Sequence, residues 1–294
     1  MLRNLSFMWV DAFTHTPLAG NPCLVILNGE SLTEAEMQAI AREANLSETA
    51  FVLPSEVARF RARYFTPAEE IPLAGHPTLA VTRALLDSGR LSPDDTDFSL
   101  QLQAGVVQVA ISAAADGLAF TMTQKKPVFG RTYTPEEVMP AFGLSPEDML
   151  PGAVIQTVST GTPQLMVPVR DLDVLRRIVL NTALYVQLRK TGDFFSPHHF
   201  CVQGISAEGQ TFARHFGTPP DTAEDPFTGS ATGGMAAYLW HHRLIAAPRF
   251  IAEQGHWMGR PGRAYVEVIG SPDAMEAVKV GGHAVTIMRG DMQL

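Results

Sequence analysis

Between Asn28 and Leu46 the segment NGESLTEAEMQAIAREANL sets Met37, Ile40, Ala41 and Ala44 on one helical face and opens with Thr33 three residues ahead of Glu36, the pair that makes a capping box. The spacing predicts an amphipathic helix. The flanking pattern is different. SFMWVDAF, CLVILNG, TAFVLP, FRARYFTP, FSLQLQAG, VVQVAISA and LAFTMTQ are short β-rich runs, several of them alternating, bounded by glycine, proline or aspartate. Such alternation favours an antiparallel sheet or barrel over parallel strand–helix–strand units, because a strand buried on both faces reads as a continuous apolar run. Among these strands GHPTLAVTRALLDSG places Leu79, Thr82, Leu85 and Leu86 on one stripe and predicts a helix wrapped by the sheet.

After Lys126 the pattern begins again. TPEEVMPAFGL opens with Thr134 and Glu137 at capping-box spacing, AVIQTVSTG and QLMVPV read as strands, DLDVLRRIVL as a helix, and HHFCVQG and QTFARHF as strands. AEDPFTGSATGGMAAYLW, from Ala223 to Trp240, supplies a second glycine-led helix, followed by RFIAEQG, RAYVEVIG, AVKVGG and AVTIMRG. Each half therefore sets strands around one apolar helix that begins at a glycine motif. The expectation is an α+β protein of two related domains with a cleft between them, joined by a linker over Gln124 to Gly130, where lysines, proline and glycine coincide.

Composition narrows the function. At 294 residues with 46% hydrophobic and 18% charged side chains, the chain reads as a globular protein of two medium cores. A formal charge of -8, with no basic cluster longer than Lys125-Lys126, excludes sequence-independent nucleic-acid binding. No apolar run approaches the roughly 20 residues that cross a bilayer, so no membrane partner is expected. The N-terminal apolar run is broken by Asn4 and Ser6 and ended by Asp11, and reads as a first strand in a cytoplasmic protein. Cys23 and Cys201 are too few for a disulfide scaffold or a multi-cysteine zinc site.

The two glycine motifs carry the candidate chemistry. A helix N-terminus exposes unpaired N–H groups and roughly half a positive charge, so GHPT and TGSATGG are ready sites for a carboxylate; tight helix–sheet packing explains the glycines equally well. Neither stretch has the lysine of a phosphate-binding loop, the G-x-G-x-x-G spacing or a G-x-S-x-G elbow. Three ionisable residues stand nearby. Glu48, in NLSETAFVL, lies between a helix end and a strand and is either a solvated loop charge or an acid–base group. Asp225 directly precedes Pro226 and the second helix, where its plain role is an N-terminal cap. His76 follows Gly75 and is either a packed imidazole or a catalytic one. The His198-His199 and His241-His242 pairs lack metal-ligand spacing, and neither metal nor cofactor is expected.

In order and spacing, DAFTHTPLAGNPCLVIL, IAREANLSETAFVL, RYFTPAEEIPLAGHPTLA, STGTPQLMVPV and ARHFGTPPDTAEDPFTGSATGGMAAYLW resemble the successive signatures of the phenazine biosynthesis PhzF-like isomerase family, over nearly the whole chain. The resemblance implies a diaminopimelate epimerase-like fold: two pseudo-symmetric domains, each a β-barrel-like sheet around a central helix, spanning residues 1–123 and 124–283, with 284–294 returning to the first. His76 and Asp225 are then expected across one cleft. The family's acid–base glutamate falls on Glu48, its A-G-H-P histidine on His76 and its E-D-P aspartate on Asp225, while Gly75, Gly229 and Ser230 match pocket-lining positions. Phe227 stands where the family pattern usually has alanine, which puts pocket shape and substrate in question.

The implied activity is cofactor-independent movement of a proton between carbons of a small carboxylate such as a hydroxylated cyclohexadiene amino acid. The family resemblance leaves room for a homodimer. Epimerases of that fold use one cysteine at each helix start, whereas this chain has His76 and Thr228 there. A racemase or epimerase of an amino or hydroxy acid is the enzymatic alternative, and a non-catalytic metabolite-binding protein the other.

Overall fold

The structure, a computed structural model, describes residues 3–114, 117–219 and 223–294. The chain divides into two compact units, Met1–Thr123 with Gly281–Leu294, and Gln124–Val280.

The first unit is built on β1 (Asn4–Ala12), which pairs antiparallel with β2 (Asn21–Ile26) on one edge and with the strand Ala284–Gln293 on the other. Helix α1 (Glu34–Ala44) crosses from β2 to β3 (Glu48–Leu53), and the two strands run parallel. β4 (Phe60–Phe65) pairs antiparallel with β3 and with the short β5 (Glu70–Ile71). A second helix, α2 (Gly75–Asp87), crosses to β6 (Asp97–Leu102), which runs parallel to β4; β7 (Gly105–Ala114) and β8 (Gly117–Gln124) follow as antiparallel neighbours.

Most described pairs are antiparallel as expected, and the parallel pairs are the exception that β3 explains. Both α1 and α2 pack against it, so Thr49, Ala50, Phe51 and Val52 are all buried and no polar alternation survives to mark a face. Helix α1 keeps its capping box, with the Glu36 N–H donating to Thr33 Oγ1 and the Thr33 N–H to Glu36 Oε2. It buries Met37, Ile40 and Ala41 against Leu24, Ile26, Phe51 and Phe65. Helix α2 buries ten of its 13 residues, so it has no solvent face for a hydrophobic stripe to contrast with.

In the second unit β9 (Val128–Tyr133), β10 (Ile155–Ser159) and β11 (Pro163–Pro168) pair antiparallel in turn, and α3 (Pro135–Val138) follows β9 with its own capping box at Thr134 and Glu137. α4 (Leu172–Arg176) and α5 (Thr182–Thr191) cross to β12 (Ser196–Cys201), parallel to β11. β13 (Thr211–Phe216) pairs antiparallel with β12 and with β14 (Glu224–Asp225). Helix α6 (Gly229–His241) then crosses to β15 (Arg249–Gln254), parallel to β13, and β16 (Gly262–Ser271) and β17 (Ala274–Gly282) complete the order.

Two expectations change here. The helix read over DLDVLRRIVL stops at Arg176, and α5 goes unread in the sequence because it buries only Tyr185 and Leu188, too few to write a period. The expected linker is shorter, since Val128 to Gly130 belong to β9, where Val128 and Phe129 pair with Ser159 and Val158 of β10.

Candidate active site

In the first unit the sequence brings Glu48 and His76 together. Helix α1 ends at Asn45 in a left-handed conformation, φ 50°, and the reversal makes Glu48 the first residue of β3. His76 is the second residue of α2, and its Nε2 lies 3.2 Å from Glu48 Oε2. On the ring's other side Asn21, the first residue of β2, places Nδ2 3.1 Å from His76 Nδ1. An amide nitrogen donates, so Nδ1 accepts and the ring's hydrogen sits on Nε2, the nitrogen nearest the carboxylate. Burial holds His76 down at about 3, well below an ordinary imidazole, so the ring is neutral. The Glu48 side chain is 18% exposed against 4% for His76, although the Oε2 that faces the ring is itself buried. Asn21 was not singled out in the sequence. Its only mark there is an amide at the head of an apolar strand, where a buried polar group needs a partner.

The start of α2 is braced from beneath. Thr78 Oγ1 donates to the Ala74 carbonyl at 2.8 Å, and the Tyr64 hydroxyl is 2.9 Å from Thr78 Oγ1. Cys23 lies outside the glycine motifs in sequence, yet it is the register partner of Glu48 in the β2–β3 pair. Burial, and then the charge of Glu48, push its thiol well up, so it stays protonated.

In the second unit Asp225, Gly229 and Ser230 gather at the start of α6. Asp225 is not the cap of that helix: the N-cap is Thr228, whose hydroxyl donates to Asp225 Oδ2. Gln254, at the end of β15, holds both residues. Its Oε1 accepts the Thr228 N–H at 3.2 Å, and its Nε2 donates to the Asp225 carbonyl at 2.7 Å and to Thr228 Oγ1 at 3.3 Å. Gln124 Nε2 donates to the Gly229 carbonyl at 2.9 Å, and Thr160 Oγ1 donates to Gln124 Oε1 at 2.5 Å. A Cβ on Gly233 would stand 1.9 Å from Gln124 Oε1, so this glycine serves close packing, as the plainer reading of the motif held. Phe227 is fully buried and packs against Gly262.

His198, His199 and His215, on β12 and β13, are packed in the interior. His198 Nδ1 is 3.2 Å from His215 Nδ1, and His215 Nε2 is 2.9 Å from Ser196 Oγ. His199 packs edge-on against Phe142 with centroids 4.1 Å apart. Burial holds all three imidazoles well below their ordinary range. Among the described residues no group of three His, Cys, Asp or Glu side chains is placed to hold a metal ion.

The family model described as "Phenazine biosynthesis-like protein" matches residues 10–290. The trans-2,3-dihydro-3-hydroxyanthranilate isomerase of Pseudomonas aeruginosa is 33% identical over 288 residues, 97% of this chain and 98% of its own length. A phenazine biosynthesis protein of the PhzF family from Bacillus anthracis superposes with a TM-score of 0.90 at 31% identity, covering 99% of this chain and 100% of the other. A hydroxyproline epimerase from Agrobacterium vitis shares the fold at a TM-score of 0.70 and 14% identity, over 99% of this chain and 93% of its own.

Proposed function

Because the chain belongs to the phenazine biosynthesis-like protein family, we propose that it is a cofactor-independent isomerase in which Glu48 carries a proton from one carbon to another of a small hydroxylated carboxylate. The observation that carries this reading is the partly exposed Glu48 side chain with its Oε2 3.2 Å from Nε2 of a neutral His76 whose tautomer Asn21 sets. A carboxylate held this way removes a proton from carbon, leaving a carbanion delocalised over the substrate's conjugated system. The carboxyl group exchanges its hydrogen with solvent and then delivers a proton to a second carbon on the same face. No net proton or electron is consumed. His76 keeps Glu48 oriented through both steps.

Asp225, Gly229 and Ser230 are proposed to bind the substrate's polar groups, and the free N–H groups at the start of α6 suit its carboxylate. The substrate class is a hydroxylated cyclohexadiene amino acid, the class named for the Pseudomonas aeruginosa relative.

Racemisation through two thiols is disfavoured by the cysteines themselves. Burial and Glu48 push the Cys23 thiol up, and burial pushes Cys201 up to about 11, so neither is poised as a thiolate base. The test is incubation with trans-2,3-dihydro-3-hydroxyanthranilate and related small carboxylates in deuterated buffer, followed by proton NMR. Isomerisation with deuterium at the newly protonated carbon is expected. Inversion at the α-carbon of a chiral acid would establish the racemase, and no exchange with any compound would leave a binding protein.

A further inference from the structure

Gln254 is 1% exposed, and its three side-chain hydrogen bonds described above all go to the backbone or hydroxyl of the segment that carries Asp225. The turn that follows presses on the same segment. Gly255 adopts φ +82°, and a Cβ there would stand 2.5 Å from the Pro226 carbonyl oxygen. The orientation of the Gln254 amide has one chemical solution. The Thr228 N–H can only donate and the Asp225 carbonyl can only accept, so Oε1 and Nε2 cannot be exchanged. Thr228 Oγ1 therefore receives a hydrogen from Nε2, and its own hydrogen is the one directed at Asp225 Oδ2.

We infer that Gln254 is the positioning residue for Asp225: by fixing the direction of the Thr228 hydroxyl, it holds the Asp225 carboxylate as a hydrogen-bond acceptor in one orientation. The chain from Gln254 through Thr228 to Asp225 stands on geometry, and its effect on turnover rests on the isomerase reading above. Gln254 touches no reacting atom; it acts through Thr228.

The experiment compares Gln254→Glu, which keeps an oxygen for the Thr228 N–H but removes both Nε2 donors, with Thr228→Val, Thr228→Ser and the Gln254→Glu/Thr228→Val double variant. Gln254→Glu and Thr228→Val are each expected to lower kcat by about 10- to 100-fold, the worth of a hydrogen bond to a charged group. The double variant should fall no more than about threefold below Thr228→Val, because both changes break one chain. Losses that multiply would overturn the inference.

Thr228→Ser retains the hydroxyl and should exceed Thr228→Val by about tenfold; equal rates would overturn the inference even if Gln254→Glu fails to fold. A second readout needs no substrate. With labelled threonine, the Thr228 hydroxyl proton should give a protected NMR resonance in the parent that shifts or is lost in Gln254→Glu. An unchanged resonance overturns the positioning claim, whereas a parent without turnover overturns the isomerase reading and leaves the resonance to decide the chain.

Discussion

Asn21, Glu48 and His76 come from three separate segments, and each limits what the others can do. The Asn21 amide makes His76 Nδ1 an acceptor, and the hydrogen left on Nε2 faces Glu48. Asn21→Leu removes the donor that selects this tautomer and leaves a buried nitrogen without it. Steady-state kinetics should show kcat reduced by roughly 10- to 100-fold, with the smaller change in KM. The cysteines should matter far less. Cys23→Ser and Cys201→Ser are expected to keep turnover within about tenfold, since neither thiol is ionised to act as a base. Complete loss of turnover in either folded variant would restore the two-thiol racemase. As candidates, Glu48, His76 and Asp225 were legible because each stands in a short motif at an element boundary. Asn21 and Gln254 were not, because an amide at the end of an apolar strand disturbs no period. Its role is set by which strand comes alongside.

Among the helices, α1 is the one whose sequence contains its whole description: a cap, a buried stripe and a left-handed stop at Asn45. Thr33→Ala should cost about 1 kcal/mol of stability through loss of the capping box, read as a lower urea midpoint at constant slope. The deeply buried α2 and α6 are held by packing instead, and their sequences show small and apolar residues without a polar face. Strand direction was the least legible feature. Alternation reports whether one face of a strand meets water, not whether its neighbour runs parallel. The parallel pairs β2–β3, β4–β6, β11–β12 and β13–β15 each follow from a helix that lies between their strands in sequence. The hydroxyls and amides that brace the glycine motifs, such as Tyr64 and Gln124, were hidden for the same reason: their partners lie on other elements.

Across the whole molecule, four of the buried imidazoles among the described residues are held neutral: His76 and His215 at about 3, and His198 and His199 well below their ordinary range by burial first. Unfolding frees each to bind a proton below its ordinary value of about 6.5, so the unfolded state carries more protons and stability falls as pH drops through that value. Urea midpoints should decline between pH 7 and pH 5, by at most roughly 2 kcal/mol per imidazole at pH 5. A flat profile over that window would contradict the burial of these rings. Glu36, lowered to about 2 by Arg3 and Thr33, titrates outside it. The central claim, that Glu48 carries the proton, is tested most directly by comparing solvent deuterium incorporation into trans-2,3-dihydro-3-hydroxyanthranilate by the parent and by Glu48→Gln. The account expects ligand binding to survive within about tenfold while incorporation falls by roughly a hundred to ten thousand times. Incorporation at the parent rate in Glu48→Gln would contradict it.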